Sequence, residues 1–69
     1  MPNKPIAVFS NQNTNIFNLM SICARAMEKE NYSLMKIRSF MDEVMNSTSY
    51  EKALDVMNKW CDIRWYIID

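Results

Sequence analysis

The chain has 69 residues, with eight basic side chains against eight acidic, 49% hydrophobic content, and neither Gly nor His. At this length one small domain fits and a nucleotide-binding domain with a separate substrate domain does not. Lack of Gly removes phosphate-cradling loops, lack of His removes the common general base and His-based metal sites, and zero net charge gives no purely electrostatic hold on nucleic acid or anionic lipid.

A domain near 60 residues buries only about 60% of the surface its unfolded chain exposes, so extra support is expected. Cys23 and Cys61 both fall inside helical patterns and read as small buried hydrophobes. A bridge between them requires their helices to touch, and with no further ligands the pair makes no zinc site. Oligomerisation is the remaining support, so a homodimer or higher oligomer is expected. No stretch approaches the ~20 apolar residues of a membrane span. The four apolar residues Ile6 to Phe9 are too few for a signal-peptide core. A soluble, cytoplasmic protein without cofactor is expected.

The first element, Pro5–Ser10, is β-branched and aromatic and reads as a short strand with Pro5 at its start. A polar loop, Ser10 to Asn15, follows, with Asn13 or Thr14 as the cap of the next helix. Helix one spans about Asn15–Lys29. Ile16, Leu19, Met20, Cys23, Ala26 and Met27 form its apolar stripe, widened by Phe17 and Ala24. Asn31 is the candidate for the left-handed closing position. Ser33 caps helix two, Leu34 to about Met45, with Leu34, Ile37, Met41, Val44 and Met45 inward, Phe40 alongside, and Asn46 closing as Asn31 does. In Ser47-Thr48-Ser49, Thr48 stands at capping-box spacing from Glu51. Helix three runs about Tyr50–Cys61 with Ala53, Leu54, Met57, Trp60 and Cys61 inward. The end, Asp62–Asp69, is rich in β-branched and aromatic residues and reads as a second strand that pairs with Ile6–Phe9; continuation of helix three is the alternative. The predicted fold is therefore α+β in one domain, 1–69.

The runs Asn15-Ile16-Phe17-Asn18-Leu19-Met20 and Ala26-Met27-Glu28-Lys29 resemble the front half of a family of very small proteins encoded by phages and integrative elements of Firmicutes. Phe40-Met41-Asp42-Glu43-Val44-Met45, Ser49-Tyr50-Glu51-Lys52-Ala53-Leu54 and Asp62-Ile63 resemble its back half. The likeness covers roughly residues 5 to 63. Where members carry Asp-Gly-Asn before helix one, this chain has Asn13-Thr14-Asn15, and the usual Gly near Asn31 is missing. The resemblance implies no enzymatic activity. It implies a mobile-element setting, in which small proteins often block host defences.

Several features bear on function, each beside a plainer reading. Seven methionines are core filler or a plastic docking surface, with Met35, off the main stripe and near Phe40, as the deciding residue. Trp60, Trp65 and Tyr66 crowd the end of the chain, either as core or as an interface for a second subunit or partner. Asn13, Asn15 and Asn18 at the start of helix one, with Arg25 further on, either cap and turn the chain or recognise a nucleotide phosphate. The scattered charges show no basic run, which disfavours a DNA-binding regulator. Asp42–Glu43 and Glu51–Asp55 lack the apolar surroundings that tune a carboxylate for acid–base work. The leading expectation is a non-enzymatic binding protein that docks on a host protein, plausibly a defence component, through Trp60, Trp65, Tyr66, Met35 and Phe40. The alternatives are an oligomeric sponge for a nucleotide-type signal and a small DNA-binding regulator.

Overall fold

The computed structural model describes residues 4–68, in the order β1 (Ile6–Ser10), α1 (Ile16–Lys29), α2 (Leu34–Met45), α3 (Tyr50–Trp60) and β2 (Asp62–Tyr66). This is the expected α+β arrangement of strand, three helices and strand. Asp69, the last residue of the predicted closing strand, lies outside the described residues.

The helix alternative for the end of the chain fails at Cys61, whose backbone is extended at φ −132°, ψ 155°. One residue on, the Asp62 N–H donates to the Pro5 carbonyl at 2.8 Å. From there β2 runs parallel to β1, in register from Ile6↔Asp62 to Ser10↔Tyr66. Parallel neighbours need a long crossover rather than a tight turn. Here all three helices together are that crossover.

Strand alternation turns Ala7 and Phe9 onto the helices and leaves Ile6 and Val8 outside. The inner side chains meet Leu19, Cys23 and Met27 of α1, Phe40 of α2 and Met57 of α3, all within one buried cluster. Among the described residues no polar or charged residue is buried, so the core rests on apolar burial rather than internal polar networks. Three residues of the predicted stripes lie at the surface instead: Phe17, Leu34 and Met45. Each sits within the first or last turn of its helix, where the stripe outruns the neighbour that would cover it.

Caps set the helix ends, with three corrections. Asn15, rather than Asn13 or Thr14, caps α1: its Oδ1 accepts from the Phe17 N–H at 2.9 Å. Ser49, rather than Thr48, caps α3, accepting from the Lys52 N–H at 3.1 Å, because Thr48 stands one residue too early to reach it. Asn46 ends α2 at φ −90°, ψ 0°, without a left-handed turn. Ser33 caps α2 as expected, taking the Lys36 N–H at 3.2 Å.

Asn31 does take the left-handed position, at φ 64°. Beyond it the Tyr32 N–H reaches the Met27 carbonyl at 3.0 Å, and the Asn31 N–H reaches the Glu28 carbonyl at 3.0 Å, the paired bonds of a Schellman closure. Asn tolerates this backbone and Gly does so freely, whereas a plain Cβ does not. Asn31→Ala is expected to lower stability by about 1 kcal/mol, or roughly 4–8 °C in melting temperature, while Asn31→Gly holds or raises it; thermal denaturation by circular dichroism checks both.

Candidate functional site

The five residues expected to form one docking surface fall in four places. Phe40 is wholly buried, which corrects its assignment to a surface: it packs edge-on against Trp60, with ring centroids 6.1 Å apart at 68°. Trp60 is half-buried, and its Nε1–H donates to Glu43 Oε1 at 3.0 Å. Met35 is 80% exposed at the start of α2. It has no surface aromatic in Phe40, because residues five apart point to different sides of a helix.

Trp65 and Tyr66 point to opposite faces of the sheet. The Trp65 indole lies inward, edge-on to Phe9 at 5.4 Å, and shields that core ring while keeping about half its own surface in water. Tyr66 stands on the outer face with Ile6, Val8, Asp62 and Arg64. The chain beyond β2 is held by Asn11, whose Nδ2 donates to the Ile68 carbonyl at 3.2 Å while its Oδ1 accepts the Ile68 N–H at 2.9 Å. One side-chain amide thus stands in for a strand's peptide group.

A groove of about 330 Å³ opens where the start of α1, the end of α2 and the start of α3 meet. Its floor is Ile16, Met20, Val44 and Ala53, and Phe17, Met45 and Tyr50 stand around it. The Tyr50 hydroxyl donates to the Thr14 carbonyl at 2.6 Å, tying one wall to the loop before α1. Among the rim hydroxyls, Ser47 is engaged with the Glu43 carbonyl at 2.9 Å and Ser49 in its cap. Phe17 read as part of the core and Met45 as a core position, so periodicity alone missed this groove; it forms because two helix ends overshoot their neighbours side by side.

The Asn15 and Asn18 side chains are occupied locally, and Asn13 takes part through its backbone. The Asn18 Nδ2 donates to the Asn13 carbonyl at 3.4 Å, and Asn15 is the cap. Arg25 shares the Asn18 face of α1 but lies two turns on, roughly 10 Å along the axis, beside Glu28 and Lys29 in a separate shallow hollow. The structure does not bring Arg25 to the Asn-rich start.

Cys23 and Cys61 are buried free thiols in contact, the Cys61 Sγ lying 3.9 Å from the Cys23 carbonyl oxygen. The hydrogen bond with Cys61, together with burial, pushes the Cys23 thiol far above the ordinary thiol range, which keeps it protonated and unreactive. Among the described residues no group of three or more metal-ligating side chains forms, and no helix is long and apolar enough to cross a membrane.

With this geometry in hand, comparison with known proteins adds no relative: the chain matches no family, no curated protein and no solved structure.

Glu43 joins the end of α2 to the end of α3, taking an ion-pair hydrogen bond from Lys59 and another from Trp60. The Lys59 bond first, and the Trp60 bond second, hold its carboxyl below the ordinary glutamate value. A carboxylate with a depressed folded-state pKa contributes its stability above the unfolded value, near 4.3, and loses it as pH falls through the lower folded one. Glu43→Gln is therefore expected to melt lower than wild type at pH 7 and to converge with it as pH falls below about 4.3; melting differences that stay constant through that fall would sink the assignment. At the other end of the fold, Asn11→Ala is expected to speed hydrogen exchange of the Ile68 amide several-fold with the helices unchanged, as read by two-dimensional NMR.

Proposed function

We propose that the protein is a non-enzymatic binding protein of a phage or mobile element, which holds a host protein in a one-to-one complex and blocks it. The contact is the groove at the α1–α2–α3 corner. The observation that carries this reading is the wall of the groove: Phe17, Met45 and Tyr50 are 57%, 60% and 47% exposed around an apolar floor.

Two physical points favour a protein over a small molecule there. The groove is open, and a small ligand in it would not be enclosed to the 70–90% that typical small-molecule sites reach. The three wall side chains also rise beyond the floor, so a small ligand would leave them wet, whereas a protein surface covers wall and floor together. An apolar or aromatic anchor from the partner in the groove, ringed by Phe17, Met45 and Tyr50, is the usual plan of an interface hot spot.

The host setting and the defence target rest on the resemblance of Asn15–Met20, Phe40–Met45 and Ser49–Leu54 to the phage and integrative-element proteins. Blocking by occupancy also fits the chemistry of the chain. Glu43 is tied up in bonds to Lys59 and Trp60, and both thiols are buried. Occupancy asks only for a surface, and the groove supplies one.

The test is capture of a target from host extract by tagged protein, identification by mass spectrometry, and titration of the purified target by calorimetry. A stoichiometry of one is expected. Met45→Asp and Phe17→Asp are each expected to weaken binding at least about 30-fold, the scale of a hot-spot residue. Tyr66→Ala, on a different surface, leaves it within about twofold. Undiminished affinity in both groove variants would overturn the assignment.

A further inference from the structure

Parallel sheets in proteins are covered on both faces, yet none of the described residues covers the outer face of β1–β2. Ile6 and Val8 are each 53% exposed and Tyr66 63%. Beside the two aliphatic side chains, the register sets Asp62 level with Ile6 and Arg64 level with Val8. The face is thus two parallel stripes, one with Ile6 and Val8 behind Lys4, whose ammonium is turned to the Asn58 carbonyl at 2.9 Å, and one carrying an acid two residues before a base.

We propose that this face is covered by a second copy of the chain, sheet against sheet, with the strands of the two copies antiparallel about a two-fold axis at the level of Ala7 and Ile63. The observed register dictates that placement. The rotation sets β1 on β1 and β2 on β2, reversed, so Ile6 of each copy meets Val8 of the other. The same operation sets Asp62 of each copy opposite Arg64 of the other. Within one chain these two already pair at 3.1 Å while both stay exposed, so association gathers four alternating charges without stranding any of them. Shifting the axis by one residue along the strands places Arg64 on Arg64 or Asp62 on Asp62, and a parallel arrangement lays charges on Ile6 and Val8. Only the stated placement matches both stripes. Zero net charge adds no long-range repulsion between copies.

The size of the face sets the strength. Four facing side chains (Ile6, Val8, Asp62, Arg64) at roughly 100 Å² each give a total near 800 Å² for two copies, below the standard size and in the range of weak, transient interfaces. A face of this size fits a weak, exchanging dimer rather than a permanent one. The groove lies away from this face, so the inference stands or falls independently of the host-docking reading.

Sedimentation velocity between 5 and 500 µM tests it. Wild type is expected to rise from 8.2 kDa towards twice that mass across the range. Arg64→Asp, which sets Asp against Asp62 across the axis, is expected to stay monomeric at 500 µM with its helical circular dichroism intact. The double exchange Asp62→Arg/Arg64→Asp restores the alternation and is expected to restore the dimer. Val8→Asp is expected to be monomeric as well, and Met45→Asp, in the groove wall, to dimerise as wild type. A wild type that remains 8.2 kDa throughout, an Arg64→Asp variant that still dimerises, or a double exchange that stays monomeric would each overturn the proposal.

Discussion

The pairing of β1 with β2 is the contact on which the other features depend. Every rung joins the beginning of the chain to its end, Ile6 to Asp62 and Ser10 to Tyr66, so each rung closes a loop that holds all three helices. Loop closure over that distance is entropically costly, and few rungs reward it. The compensation comes from what the strands carry. Ala7 and Phe9 enter the buried cluster, Trp65 covers Phe9 from the side, and Asn11 lengthens the ladder through its side chain. The ladder orients the strands, and the apolar side chains beneath it hold them there.

Much of this fold was legible in the residues because each helix begins and ends on local chemistry. Ser33 before a periodic stretch, Asn31 after one, and a serine–threonine cluster before the third gave the helix number without tertiary information. What sequence left open depended on distance. Strand direction is invisible in a five-residue apolar run, since parallel and antiparallel ladders accept the same side chains. Phe17 and Phe40 exchanged roles for a similar reason. Periodicity tells which side of a helix is apolar, but not how far along its axis a neighbour reaches. Phe40, mid-helix, found cover under Trp60, while Phe17, in a first turn, did not. The groove arose from that shortfall and so had no signature of its own. Asn11 stands in a polar loop with nothing local to mark it, and its partner, Ile68, lies at the other end of the chain.

So small a chain distributes its apolar residues differently from a larger one. The interior is filled by side chains as large as Phe9, Phe40 and Leu19 with no buried polar group among the described residues, yet large hydrophobics remain outside in separate places. The groove wall and the outer sheet face are chemically unlike. One is apolar and concave, suited to receiving a protruding side chain; the other is flat and striped, suited to its own mirror in sequence. A chain that uses the first for a foreign protein and the second for itself would present two grooves per assembly, and binding to a multivalent target would then gain from effective concentration rather than from stronger individual contacts.

Because β1 and β2 point the same way, the backbone enters the sheet at the Ile6 end and leaves it at the Tyr66 end. Tension pulling those two points apart therefore slides one strand lengthwise along the other, loading all the ladder bonds together instead of peeling them singly. Resistance to stretching in that direction should far exceed what so few rungs give when unzipped, a mechanical toughness that ordinary measures of thermodynamic stability would not disclose.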